Sequence, residues 1–295
     1  MNVTMLVFSP SGNTANIATL FQQRLEDRGI AVQTVHATGA PDVFNARQHA
    51  QFLHNNVEEH DVLCIGAPVY AHHLQYHMLD LLKALPKPGN GWGNYAFPFV
   101  TYGGISSGVA LEEAGNLLTQ SGRTVIGGMK VAAPHNFITR AFRERPIKLD
   151  VSEEGIPQVL EEAVEKILTI MEENACRNQA EHLKYQPREV AHKANTMFVE
   201  KEWHAARYPN VIVDSLACTQ CGTCVNVCPV SHFRKDPAGS IIQDKDSACI
   251  HCFNCVASCP VNAISLRGDL EKARAFISNM LKAGNEAPGS AVYPL

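Results

Sequence analysis

Eight cysteines constrain this chain of 295 residues more than any other feature. They fall as Cys218-x-x-Cys221-x-x-Cys224-x-x-x-Cys228-Pro229 and again as Cys249-x-x-Cys252-x-x-Cys255-x-x-x-Cys259-Pro260, every member recurring 31 residues later, as 218 does at 249 and 228 at 259. The likeness runs past the cysteines. Val225-x-x-Cys228-Pro229-Val230 returns as Val256-x-x-Cys259-Pro260-Val261, and Phe233 has Ile264 as its counterpart. Two copies of one small unit are expected.

What the cysteines do depends on where the chain works. Met1 to Ser9 has neither the basic start nor the apolar length of a signal peptide, and no apolar run reaches membrane-spanning length, so a cytoplasmic protein without a membrane span is expected. In a reducing compartment, ten cysteines point to metal ligands or redox chemistry rather than disulfides. With 45% apolar residues, 18% charged residues and a net charge of −4, the chain reads as an ordinary folded protein with room for two domains and no call for a nucleic-acid partner.

Three thiolates spaced by two residues each can wrap one face of a cubane iron–sulfur cluster, and the fourth must come from elsewhere. Zinc ribbons also use four thiolates, but as two Cys-x-x-Cys pairs with no third cysteine followed by Cys-Pro. Residues 210–267 closely resemble the bacterial ferredoxins, in which the fourth cysteine of each run binds the other cluster. That resemblance implies two [4Fe–4S] clusters, one held by Cys218, Cys221, Cys224 and Cys259 and the other by Cys249, Cys252, Cys255 and Cys228. The segment balances four Lys and Arg against four Asp, so composition advertises no charged docking face. Cys64, in an apolar run, and Cys176, at a helix end, read as incidental.

Upstream, short apolar runs at 3–8, 31–35, 61–65, 97–101 and 124–131 alternate with helical patterns at 13–28, 43–54, 74–85 and 109–120. Alternation of this kind predicts an α/β domain, a doubly wound five-stranded parallel sheet, with a small α+β cluster domain following it. Ligands of such sheets sit beyond the C-terminal strand ends. After the first strand, Ser9-Pro10-Ser11-Gly12-Asn13-Thr14 leads straight into a helix, where amides and the helix dipole favour an anion and three hydroxyls can donate to it. After the third comes Gly66-Ala67-Pro68-Val69-Tyr70, and after the fourth Thr101-Tyr102-Gly103-Gly104, an aromatic beside glycines.

These loops resemble those of the flavodoxins over residues 1–150: a hydroxyl-rich phosphate loop without Lys or Arg, then two loops that contact the flavin ring. The resemblance implies FMN, bound by Ser9, Ser11, Gly12, Asn13, Thr14, Ala67, Pro68, Val69, Tyr70, Thr101, Tyr102, Gly103 and Gly104. FAD suits a loop for a terminal monophosphate less well, and no Gly-x-Gly-x-x-Gly follows a strand to suggest a dinucleotide. Ala71-His72-His73-Leu74 departs from the family, whose members usually carry a glycine and a basic residue here. It reads as a solvated loop, with flavin contact or proton relay by the histidines as the alternative. Pro134-His135-Asn136-Phe137 resembles a segment that closes over the flavin.

Val159, Ala163, Val164, Ile167, Ile170 and Met171 form an amphipathic stripe that ends the first domain near residue 175. Residues 176–208 read as a helix-rich connector in which Trp203 and Tyr208 could dock the modules, 209–268 as the cluster domain, and 269–295 as a helix and tail without assigned chemistry. The two halves together resemble the flavodoxin–ferredoxin fusion family of anaerobic prokaryotes. This implies electron transfer between a low-potential redox partner protein, two clusters and FMN, with an FMN-dependent reductase of a small organic substrate as the alternative. His72, His73, His135 and Tyr70 are that alternative's proton-donor candidates. The crossed cluster assignment is testable: Cys259→Ser should degrade the cluster of Cys218, Cys221 and Cys224, seen as loss of its signal in anaerobic electron paramagnetic resonance. Loss confined to the set beginning at Cys249 would overturn it.

Overall fold

A computed structural model of the chain describes residues 1–135, 139–140, 155–172, 177–197, 208–244, 249–283, 286 and 289–294. Asn136, Phe137, Cys176 and Trp203, and the side chains of Ile170 and Met171, lie outside the described residues. The first module runs β1 (Asn2–Val7), α1 (Asn13–Asp27), β2 (Ala31–His36), α2 (His49–Asn56), β3 (Val62–Tyr70), β4 (His73–Leu74), α3 (Tyr76–Lys83), β5 (Tyr95–Tyr102), α4 (Ala110–Gln120), β6 (Thr124–Val125), β7 (Gly128–Ala132) and α5 (Ile156–Glu172).

Strands β2, β1, β3, β5 and β7 lie side by side and parallel, the doubly wound order in which the chain reverses direction beside β1. Strand periodicity divides their side chains between two buried layers. Leu6, Phe8, Leu63, Ile65 and Val100 face one layer with α3 and α4. Met5, Val7, Val62, Cys64, Phe97 and Phe99 face the other with α1 and α5. Cys64 is fully buried, and that burial pushes its thiol pKa up. The α5 stripe behaves as its spacing predicts, with Val159, Ala163, Val164 and Ile167 all in the core.

The fifth strand expected over 124–131 is split. Tyr95 pairs with Thr124 but Phe99 with Met129, so one extra residue is accommodated between β6 and β7, as in a bulge. Gly127 stands there at φ 152°, and a Cβ on it would meet the carbonyl oxygen of Tyr293 at 2.7 Å.

Tyr293 belongs to a strand the sequence did not disclose. The rest of the chain comprises α6 (Arg188–Met197), β8 (Asn210–Val213), α7 (Thr223–Asn226), β9 (Phe233–Lys235), β10 (Ile241–Gln243), α8 (Asn254–Ser258), β11 (Ile264–Arg267), α9 (Leu270–Ala283) and β12 (Ala291–Tyr293). β12 pairs antiparallel with β7, making the tail an edge strand of the first module's sheet. The cluster module is small, with β8 against β11, β9 against β10, and a core of Val211, Phe233, Phe253, Val256, Ile264 and Ile277. It does not stand apart, because Val230, Ile250 and Cys252 belong to the same buried cluster as Phe8, Tyr70 and Leu74.

A buried polar network secures the tail. Lys130, only 1% exposed, pairs with Glu286 and lies over the rings of Tyr102 and Tyr185 at 5.7 and 5.1 Å. Glu286 also accepts from the amide and hydroxyl of Ser107. Tyr185 stacks on Tyr293 with centroids 4.1 Å apart, so connector and tail share the anchor. Burial alone would raise the carboxyl pKa of Glu286, but hydrogen bonds from Lys130 and Ser107 and the lysine's charge hold it below its ordinary 4.5. The depressed value stabilises the fold above pH 4.5, and the contribution is lost as pH falls through the folded pKa.

The solvated loop expected over Ala71–Leu74 is instead half-buried at Ala71, His72 and His73 and fully buried at Leu74. Val69 pairs with Leu74 and Tyr70 with His73, making a tight two-residue hairpin whose central residues take φ 47° and 71°. Such turns favour Asn and Gly because side chains crowd a left-handed backbone.

Two predictions follow from these local conflicts. Glu286→Gln should cost about 3 kcal/mol near neutral pH by leaving a buried ammonium without its counter-charge, and the gap to the parent should narrow in chemical denaturation below pH 4.5. A gap independent of pH would show that the pair does not set acid stability. His72→Gly should relieve strain and raise the thermal midpoint by about 2 °C; a lower midpoint would show that the imidazole's contacts outweigh the strained backbone.

Candidate functional site

The loops at the C-terminal strand ends meet as the doubly wound order requires. Gly12 takes φ 92° ahead of α1, with no atom of the described residues within 4 Å of where a Cβ would be, so the left-handed backbone selects glycine. Ser9 accepts from the amide of Ala15 at 2.9 Å, and its own amide donates to the Thr38 hydroxyl at 2.6 Å. The hydroxyls of Thr14 and Thr101 are 2.7 Å apart and buried, while the Asn13 side-chain amide donates to the Pro134 carbonyl at 2.9 Å. Of the three hydroxyls expected to meet an anion, two therefore have protein partners that shape the loop, and Ser11 is the one that borders the space beyond it.

That space is a cleft of about 880 Å³, its open mouth included. Ser11, Asn13, Pro68, Val69, Tyr70, Thr101, Tyr102 and Gly103 line it, whereas Ser9, Gly12, Thr14, Ala67 and Gly104 are outside the lining. Ala71, His72, Ile105, Ser106, Ala133, Pro134 and His135 complete the rim on the first module's side. Burial pushes the rings of His72 and His135 down to about 4, so both are neutral at physiological pH. His73 is directed elsewhere. Its nitrogens meet Glu113 at 2.7 Å and the Ala194 carbonyl at 3.0 Å, tying α6 to α4, and its ring does not line the cleft.

The remaining wall comes from the other end of the chain: Tyr208, His251, and Phe276, Ile277 and Met280 of α9. Tyr208 packs beside His251 and Phe253, with centroids 6.0 and 6.4 Å away. Burial brings His251 down to about 4 as well. Sequence reasoning assigned the α9 residues no chemistry and left His251 unremarked. The one available signal was the divergence between repeats, since His251 and Phe253 stand where the first copy has Gln220 and Gly222.

The repeat is visible in the backbone. Gln220 and His251 are left-handed at φ 57° and 53°, Gly222 and Phe253 at 86° and 58°, and Ser231 and Asn262 both at 54°. These turns aim matching amides at sulfur: Gln220 to Cys218 and His251 to Cys249, both 3.4 Å, then His232 to Cys228 at 3.1 Å and Ala263 to Cys259 at 3.2 Å. Hydrogen bonds of this kind offset negative charge on sulfur and are a lever on cluster potential.

The cysteines gather in crossed sets. Cys218, Cys221, Cys224 and Cys259 border one small hollow. Cys228 lies close enough to Cys249, Cys252 and Cys255 for its charge to act on all three. The sets differ in surroundings. Cys221 is exposed, and hydrogen bonding to Thr223 lowers its thiol pKa. Cys252 and Cys255 are both buried, whereas Cys224 alone is buried in the first set, and burial pushes Cys252 up to about 12 and raises Cys255 as well. The first set is thus an outer one, and the second lies behind the wall of the cleft.

The cleft suits a flavin mononucleotide. It joins a helix N-terminus for an anionic end to Tyr70 and Tyr102 for a flat ring, and its histidines are uncharged. Residues 1–137 match the family model described as NADPH-dependent FMN reductase, and residues 210–260 match that of a 4Fe–4S dicluster domain. A comparison with curated proteins finds no match. Among solved structures the chain is similar to a flavodoxin from the domain Archaea (13% identity over 58% of this chain and 99% of that one, TM-score 0.39). It is also similar to the Streptococcus pneumonia TIGR4 flavodoxin (16%, 57% and 99%, TM-score 0.37) and to an NADH:FMN oxidoreductase in its apo form (18%, 61% and 95%, TM-score 0.42). The matched segments and the cysteine pattern agree: the chain joins an FMN-binding, flavodoxin-like domain to a ferredoxin-like domain for two [4Fe–4S] clusters, the make-up of a flavodoxin–ferredoxin fusion.

Proposed function

We propose that this chain carries electrons between a low-potential partner protein and FMN by way of its two clusters, the outer set serving as the port and the inner set as the neighbour of the flavin. The observation that carries this reading is the shared wall: His251, between Cys249 and Cys252, lines the same cleft as Ser11, Asn13 and Tyr70. Clusters exchange single electrons and a flavin holds one or two, so the pairing joins one-electron to two-electron chemistry. In this reading residues 1–175 and 209–268 are the redox modules, and 176–208 with 269–295 lock them together. Cys218, Cys221, Cys224 and Cys259 hold the outer cluster, and Cys228, Cys249, Cys252 and Cys255 the inner one.

The chain's own groups have separate tasks. Ser11, Asn13 and the first turn of α1 offer donors to the phosphate, and Tyr70 and Tyr102 flank the ring. Phe276, Ile277 and Met280 add an apolar wall that limits water.

The reductase reading keeps one observation in its favour: His72 and His135 border the cleft and can hand on a proton, a task for which His73, bound to Glu113 and Ala194, is not placed. Rapid kinetics separates the readings. A reduced low-potential ferredoxin should reduce the flavin at a rate independent of protein concentration once the clusters are filled. Cys255→Ser should slow that step by at least about tenfold while leaving FMN content intact. Flavin reduction at the parent rate without clusters would overturn the relay, and fast turnover of a small acceptor abolished by His135→Ala would replace it with the reductase.

A further inference from the structure

Between the phosphate loop and the inner cysteine set lie two side chains that belong to neither group of expected ligands. Arg140 donates through one nitrogen to the Ser11 carbonyl at 2.8 Å and through another to Asn254 Oδ1 at 2.6 Å. Asn254 in turn donates through Nδ2 to the Pro10 carbonyl and to the Val227 carbonyl, the latter at 3.1 Å. Pro10 and Ser11 are the phosphate loop. Val227 precedes Cys228, and Asn254 stands between Cys252 and Cys255. A pair of side chains thus holds the loop expected to bind phosphate to both chain segments that carry the inner set.

The internal repeat shows that this arrangement is particular to the second copy. The counterpart of Asn254, 31 residues earlier, is Thr223, whose hydroxyl turns inward to the sulfur of Cys221 at 3.3 Å. Where the outer copy satisfies its own cysteine, the inner copy sends a side chain with both a donor and an acceptor across the module boundary. Arginine suits the other half of the link, since its planar fork reaches two acceptors at once and stays charged. It also brings a cation to the edge of a phosphate loop that contains no Lys or Arg.

We infer that Arg140 and Asn254 form a positioning clamp that fixes the inner cluster against the phosphate end of the flavin site and, through the charge of Arg140, biases the inner cluster's potential relative to the outer one. The inference rests on the relay reading. The step it governs is the passage of one electron from the reduced inner cluster to the flavin, with no bond made or broken. A cation near a cluster stabilises the reduced state, which carries one more negative charge, and so raises the potential.

The test uses full-length, anaerobically prepared protein loaded with both clusters and FMN. Asn254→Thr, which installs the outer copy's residue, should slow cluster-to-flavin transfer by about tenfold or more, as misplacement of reacting groups does, with iron, sulfide and FMN contents unchanged. Arg140→Gln should weaken FMN binding by about tenfold, as loss of a charge-assisted bond does. It should also move the inner cluster's potential to a more negative value in a titration followed by electron paramagnetic resonance, while the outer cluster's stays in place. Should Asn254→Thr fail to assemble the inner cluster, Arg140→Gln still decides, since it changes no residue of the cysteine-bearing segments and leaves the bonds of Asn254 to Pro10 and Val227 in place. Parent transfer rates in a fully loaded variant, or equal shifts of both potentials, would overturn the clamp. The potential readout is independent of the route electrons take, so failure of the relay, seen as flavin reduction without clusters, remains a distinct result.

Discussion

Burial of the inner cysteine loop against the flavodoxin-like core is the contact on which the rest of the architecture depends. Val230, Ile250 and Cys252 share a packed cluster with Phe8, directly after β1, Tyr70, at the C-terminal end of β3, and Leu74 of the short β4 that follows it. Those strand ends are where a doubly wound sheet presents its ligand site. Packing therefore places one of two nearly equivalent cluster units beside the cleft and leaves the other facing outward, with Cys221 exposed. Identical ligand patterns acquire unequal surroundings, and unequal surroundings are what let two like clusters differ in potential. Joining the modules also replaces a diffusional encounter by a fixed geometry.

The segments that carry no redox ligand maintain this contact. α9 contributes Ile277 to the cluster module's core and Phe276 and Met280 to the cleft, then passes the chain to Glu286 and β12. β12 is bonded to β7, and Glu286 is bonded to Lys130 of β7 and to Ser107, which lies in the loop after β5. The chain thus crosses from the first module to the second and returns, so that the wall over the cleft is tethered at both ends. Tyr185 of the connector stacks on Tyr293 of the tail and joins the two crossings at one point.

Much of this was legible because it is periodic or locally spaced. The alternation of apolar runs with amphipathic stripes sets the sheet and its helices, and the 31-residue cysteine repeat sets the number and kind of clusters. The phosphate loop was legible as a glycine turn before a helix, but not the fate of its hydroxyls, because whether Thr14 meets a ligand or Thr101 depends on a residue 87 positions away. Ala71-His72-His73 was misread as solvated for a related reason: what covers it, the Val109 amide on the His72 carbonyl and Glu113 and the Ala194 carbonyl on the His73 ring, is distant in sequence. His251, Asn254 and the tail strand were hidden because their partners, the cleft, Pro10 and β7, are distant in sequence. The repeat carried a faint trace of them, in the positions where its second copy departs from its first.

The central claim is spatial: the inner cluster lies between the flavin and the outer cluster. Diffraction at the iron absorption edge from crystals of the fully loaded protein measures it most directly, because the anomalous signal locates each cluster relative to the flavin. The account predicts that the iron bound by Cys228, Cys249, Cys252 and Cys255 is adjacent to the flavin and that the iron bound by Cys218, Cys221, Cys224 and Cys259 is farther away, near the surface. A flavin closer to the outer set, or remote from both clusters, would contradict it.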